Sequence, residues 1–167
     1  MPKWTLILAT FAVTFSVAFA VVGQSPKAFD QMTKIALNHD VPEIHAREEI
    51  DLTKFIILDT REREEYNVSH LKNAIWVGYK DFTLSRVEHL PKTSHILLYC
   101  SIGYRSEKIA KRMRAAGYSK VANLVGGIFA WANLDKPLYN SAGLTHKVHP
   151  YDAVWGIWLK GGKAGYN

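Results

Sequence analysis

A chain of 167 residues, 48% hydrophobic and 22% charged, holds enough apolar material for one domain with a real core. Its formal charge of +6 comes from lysines and arginines scattered among acids, which leaves no cationic tail and no expectation of a nucleic-acid partner. A single cysteine excludes an intramolecular disulfide and a multi-cysteine structural metal site.

From Trp4 to Pro26 no side chain is charged, and Lys3 precedes the stretch. Residues 1–23 therefore read as a signal peptide or an N-terminal membrane anchor. Ala18-Phe19-Ala20 has the small-x-small pattern of a cleavage site, with cleavage before Val21 or after Gly23. If the segment is retained, Lys3 favours a cytoplasmic N-terminus. Both readings place the remainder of the chain outside the cytoplasm, either periplasmic or tethered to the membrane through this segment.

Ser25-Pro26 predicts a helix start, and Ala28, Phe29, Met32, Ile35 and Ala36 recur at helical spacing, giving a short amphipathic helix within residues 24–39. Apolar runs bounded by polar residues predict buried strands over Phe55–Leu58, Ala74–Val77, His95–Tyr99 and Val121–Val125, the last closed by Gly126-Gly127. The clearest helix spans Tyr104 to Ala116. Its apolar face is Ile109, Ala110, Met113 and Ala116, Glu107 and Lys111 are a surface pair, and Gly117 is the stop. Strands alternating with helices over residues 40–138 predict an α/β domain, a central parallel sheet of about five strands with helices on both faces. Residues 139–149 read as an extended linker. Tyr151, Val154, Trp155, Trp158 and Leu159 then predict a short aromatic helix that docks on the domain, within a C-terminal extension over 139–167.

The chemistry concentrates at HILLYCSIGYRSEKIAKRM. Cys100 stands at the carboxyl end of a buried strand, where open α/β sheets place their ligands. The loop Ser101, Ile102, Gly103, Tyr104 must turn sharply into a helix, and its amides can form an anion cup. Gly103 permits a positive φ, the helix start adds partial positive charge, and Arg105 adds a planar donor fork expected to face a bound anion. Each feature favours a thiolate nucleophile. Tyr104 is expected to wall the pocket.

This loop resembles the active loop of the rhodanese family, which runs Cys-x-x-Gly-x-Arg or Thr into a helix. Two further stretches match. The first covers Asp59, Arg61, Glu65, Tyr66, His70, Leu71, Asn73 and Ala74. The second covers Gly126, Gly127, Ala130 and Trp131. The resemblance spans roughly residues 40–138 and implies the rhodanese-like fold. It also implies a sulfurtransferase that carries sulfane sulfur as a persulfide on Cys100, taking it from a small anionic donor and passing it to cyanide, a thiol or an acceptor protein. No cofactor is implied. The sequence departs from the family pattern at Ser69, at Asn73 and across Leu134-Asp135-Lys136-Pro137, where glycines are usual. It also departs at Ser101, where many thiosulfate-using members carry Arg.

Asp59, Arg61 and His70 read as supports for the loop, with Asp59 and Arg61 as an ion pair or cap and His70 fixing a turn. His146 and His149 form HxxH without a third ligand, a surface feature rather than a metal site. Trp131 reads as core. A cysteine phosphatase or arsenate reductase also pairs Cys with Arg at a helix start, but over Cys-x5-Arg. In this chain only four residues intervene, a loop better sized for sulfur than for a tetrahedral oxyanion. A non-enzymatic persulfide carrier or sulfur-sensing module is the remaining alternative.

Overall fold

The computed structural model describes residues 25–166, so the apolar segment over 1–23 lies outside the described residues. Among these, no helix is long and apolar enough to cross a membrane.

Five parallel strands form the central sheet: β1 (Glu43–His45), β2 (Ile56–Asp59), β3 (Ile75–Trp76), β4 (His95–Tyr99) and β5 (Lys120–Val125), in the order β1-β5-β4-β2-β3. The central strand β4 is apolar without alternation because both its faces are covered. Leu97 and Tyr99 enter the core shared with α1 (Pro26–Ala36) and α4 (Gly127–Asn133). Ile96 and Leu98 enter the core shared with Ile109, Ala110 and Met113 of α3 (Tyr104–Ala115). A six-residue helix, α2 (Arg63–Val68), follows β2 and is closed by a capping box between Glu62 and Glu65.

The structure departs from the sequence expectations in several places. β1 has no counterpart among the expected strands, because a three-residue edge strand of mixed polarity has no apolar run. β2 lies one residue further along than expected and takes in Asp59, whose carboxylate is neutralised by Arg61. β3 is only two residues long. In α1 the inward face is Phe29 and Thr33, while Ile35 is 85% exposed. Glu107 is not on the surface. It is buried and accepts the backbone N–H groups of Asn38 and His39 at 2.9 and 2.6 Å, tying the end of α1 to α3. Lys111 pairs with Asp40 instead.

The expected linker is a hairpin. β6 (Leu138–Asn140) pairs antiparallel with β7 (Gly143–Thr145), and the Asn140 side chain accepts the Ala142 N–H within the turn. Short strands of mixed polarity hide such a hairpin from periodicity. The expected aromatic helix is one turn, α5 (Ala153–Gly156). Gly156 interrupts the pattern, and Val154 is 71% exposed. The extension is nevertheless anchored. Val148 is buried and its N–H bonds the Lys163 carbonyl, Trp158 packs on Phe29 at 5.8 Å between ring centroids, and Leu159 is buried.

Two places where the chain lacks the glycine of the related pattern are instructive. Asn73 has φ 60° and Asp135 has φ 56°. Asn and Asp tolerate this left-handed region better than other non-glycine residues, so the turns are kept without glycine.

Candidate active site

Cys100 directly follows β4, is buried, and opens a loop that enters α3 at Gly103, whose φ of 108° only glycine adopts readily. The Gly103 N–H donates to Cys100 Sγ at 3.2 Å. The orientation of the loop is set by its other hydrogen bonds. The carbonyls of Cys100, Ser101 and Ile102 accept the N–H groups of Ile128, Phe129 and Gly126 at 2.9, 3.1 and 3.0 Å. A trans peptide points its C=O and N–H in opposite directions. With three successive carbonyls held by the start of α4, the amides of Ser101, Ile102 and Gly103 turn away from that helix, the Gly103 N–H onto Sγ, in the orientation that an anion cup requires.

This explains Gly127. A methyl group on it would stand 2.2 Å from the Cys100 carbonyl oxygen and 2.6 Å from that of Ser101, and its φ is 52°. Gly127→Ala is expected to cost about 2–4 kcal/mol through overpacking and backbone strain, read by urea denaturation, and to disturb the loop that carries Cys100. Unchanged stability would mean that α4 does not hold the loop. Asn123, which sequence reasoning missed, supports the far side. It is fully buried, donates from Nδ2 to the Gly103 carbonyl at 3.0 Å, and accepts from Ser106 Oγ at 2.7 Å. A lone amide inside an apolar strand was the available signal.

Arg105 meets a partner that the sequence did not reveal. Its two outer nitrogens donate to the Glu65 carboxylate at 2.7 and 2.8 Å, and Nη2 also donates to Ser101 Oγ at 2.9 Å. Ser101 Oγ donates to Glu65 at 3.0 Å. The fork expected to face a donor is thus closed on Glu65, whose side chain is 2% exposed, with that of Arg105 at 11%. Burial alone would raise the Glu65 carboxyl, but the hydrogen bonds and charge of Arg105, with help from Arg61, hold it below the usual carboxylate range.

Arg105→Ala leaves that carboxylate buried without its cation. We expect a loss of about 2–3 kcal/mol at pH near 7, less than for a fully enclosed pair because Arg105 reaches solvent. A carboxyl held low in the folded state stabilises above its unfolded pKa and loses that contribution as pH falls through the folded value. The deficit of the variant should therefore narrow as pH falls toward about 4, where Glu65 is protonated in the variant and the pair weakens in the parent. A deficit independent of pH would contradict the pairing.

The two supports Asp59 and Arg61 are fully buried one residue-pair away from Cys100, since Asp59 is paired with Tyr99 across β2 and β4. Arg61 donates Nη2 to Asp59 Oδ2 and to the Ser69 carbonyl, each at 2.6 Å. The Tyr99 hydroxyl donates to Asp59 Oδ2 at 2.5 Å and accepts the Leu71 N–H at 3.2 Å. Burial and the Asp59 charge push the Tyr99 phenol well above its ordinary range, so it remains a donor. Burial opposes the Arg61 charge, but Asp59 outweighs it and the guanidinium stays protonated. His70 stacks on Tyr66 at 4.1 Å, and its backbone exchanges two hydrogen bonds with Tyr139, joining the hairpin to the domain. Trp131 is buried with its indole N–H on the Pro137 carbonyl. His149 accepts the Tyr151 N–H, and among the described residues no cluster of His, Cys, Asp and Glu could hold a metal.

Cys100 opens onto a pocket of about 420 Å³, to which Ser101, Ile102, Tyr104 and Arg105 also contribute. Tyr79, Tyr151 and Trp155 give it aromatic walls, and Glu62 and Lys80 add one charge of each sign. Tyr151 and Trp155 come from the C-terminal extension, where the sequence pattern points to docking rather than to the site. A larger hollow of about 520 Å³ lies along α1 beside Phe29, Arg47 and Trp158, but none of residues 100–105 lines it.

A family model for the rhodanese-like domain matches residues 43–134. Adenylyltransferase and sulfurtransferase UBA4 of Candida albicans is 33% identical over 88 residues, 48% of this chain and 20% of that protein. The putative sulfur carrier protein YrkF of Bacillus subtilis is 32% identical over 95 residues, 54% of this chain and 51% of that protein. The chain thus spans about half of one relative and one fifth of the other. The solution structure of a rhodanese-like domain from Anabaena superposes with a TM-score of 0.52 at 26% identity, covering 59% of this chain and 79% of that one. With the family model matching more than half of its length, the chain belongs to the rhodanese-like domain family.

Proposed function

We propose that the protein is a sulfurtransferase that moves sulfane sulfur through a persulfide on Cys100. The observation that carries this reading is the placement of the chain's single thiol beneath an amide cup, with its carbonyls turned away onto α4. The Cys100 thiolate attacks the outer sulfur of a donor. The donor's bond to that sulfur breaks, and its electron pair leaves with the remainder of the donor. The product Cys100–S–S⁻ is an anion that the Ser101, Ile102 and Gly103 amides are oriented to stabilise. Cyanide or a thiolate then takes the terminal sulfur and restores the Cys100 thiolate, a two-step covalent cycle with no net oxidation. No separate general base is required. Incubation with a sulfane-sulfur donor and cyanide should produce thiocyanate catalytically, with ping-pong kinetics. Absence of turnover with both cyanide and small thiols, while Cys100 still takes up sulfur, would favour the carrier reading, which the likeness to the B. subtilis sulfur carrier supports.

We further infer that residues 1–23 take the domain across a membrane, on the strength of their uninterrupted apolar character. Residues 1–30 fused to a reporter active only after export should yield signal, and an inactive reporter would remove export from the proposed function.

A further inference from the structure

The family's chemistry needs only the loop, yet this chain builds a second wall over it from beyond the matched region, which ends at residue 134. Tyr151 lies with φ 69°, a left-handed backbone that a bulky aromatic residue rarely adopts. In that conformation the Arg105 guanidinium stands over the Tyr151 ring, 5.0 Å from its centroid. The turn is pinned on both sides. The Tyr151 N–H donates to His149 Nδ1 at 3.0 Å, and the Asp152 carboxylate accepts the Trp155 N–H at 2.9 Å. Beyond α5, Asn133 on α4 donates to the Trp158 carbonyl at 2.7 Å and accepts the Lys160 N–H at 2.9 Å. Tyr151 and Trp155 are thereby held in the lining of the Cys100 pocket, opposite no net side-chain charge. Arg105 is closed on Glu65, and Lys80 is offset by Glu62. An inorganic dianion entering here would meet the loop amides and two cations, Lys80 and Arg105, whose charges are already offset by Glu62 and Glu65, whereas an organic group would bury itself against aromatic rings.

We propose that Tyr151 and Trp155 make this pocket selective for a sulfur donor that carries an organic group, an organic persulfide or thiosulfonate, over the inorganic thiosulfate dianion. The proposal rests on sulfur transfer through Cys100 and names its substrate class. With an organic persulfide, the Cys100 thiolate attacks the outer sulfur of R–S–SH and the donor's S–S bond breaks. The proton moves to the departing thiolate, leaving Cys100–S–S⁻ and R–SH. With a thiosulfonate, the same attack on R–SO₂–S⁻ releases the sulfinate R–SO₂⁻. Neither route consumes an oxidant or a reductant.

The test uses benzenethiosulfonate and thiosulfate as donors with cyanide as acceptor, and reads the ratio of their kcat/KM values. Taking the ratio for each protein removes the intrinsic difference in donor reactivity. Tyr151→Ala and Trp155→Ala should each lower the ratio roughly tenfold relative to the parent, and Tyr151→Phe should retain it. Benzenesulfinate should inhibit the parent protein competitively at concentrations roughly tenfold below those needed for sulfite, a measurement that does not depend on any variant folding. Equal losses with both donors, or equal inhibition by the two anions, would overturn the proposal and leave the extension a structural brace. If neither donor loads Cys100 in the parent, and polysulfide does not either, the sulfur-transfer reading itself fails.

Discussion

Arg61→Ala should destabilise the protein by about 3–5 kcal/mol, a large part of the roughly 5–15 kcal/mol that holds a domain of this kind together. The side chain is fully buried, and its removal strands Asp59, which is also fully buried, with only the Tyr99 hydroxyl and the Arg61 backbone N–H as donors. It also frees the Ser69 carbonyl that Arg61 ties to the loop before His70. The cost is that of an uncompensated charge rather than of a lost bond, which gives the prediction a second arm. Asp59→Ala combined with Arg61→Ala should be more stable than Arg61→Ala alone, because no lone charge remains inside. Urea denaturation of the three proteins checks both statements. A loss below about 1 kcal/mol for Arg61→Ala would place the pair in the class of surface ion pairs and contradict the burial argument.

Cys100→Ser should remove sulfur transfer altogether while leaving the fold intact. The side chains are nearly equal in size, and the thiol makes a single bond, to the Gly103 N–H, that a hydroxyl can also accept. A serine hydroxyl is far less ionised than a thiol and does not form a stable terminal persulfide, so the loss should exceed about a hundredfold in thiocyanate formation. With no second cysteine in the chain, nothing can take over. Residual turnover above that level would mean that sulfur passes through the pocket without covalent capture.

The centre of the site was legible in the sequence because three local signals coincide there. A buried apolar run stops at Cys100, a glycine follows three residues on, and a helical pattern begins at once. Each is a short-range consequence of backbone geometry. The partnership of Arg105 with Glu65 was not legible, since 40 residues separate them and several acids in α2 and its cap were equal candidates. Nor was the destination of the C-terminal segment. Its aromatic residues were visible, but α5 is a single turn, and Tyr151 owes its place over Arg105 to a left-handed backbone that no periodicity encodes. Gly127 stood out as part of a motif, yet its purpose emerges only when the Cys100 and Ser101 carbonyls are seen against it. Chemistry written along one strand and its loop can be read from residue types. Chemistry assembled from distant elements depends on which faces the sheet order β1-β5-β4-β2-β3 brings together.

Capture of sulfur by Cys100 is the step on which every other functional claim depends, and the intact mass of the purified protein measures it directly. After exposure to benzenethiosulfonate, thiosulfate or polysulfide, the protein should gain one sulfur mass. That gain should be removed by cyanide or dithiothreitol and should be absent in Cys100→Ser. A protein whose mass is unchanged by all three donors would contradict the persulfide, and with it the function proposed for the fold.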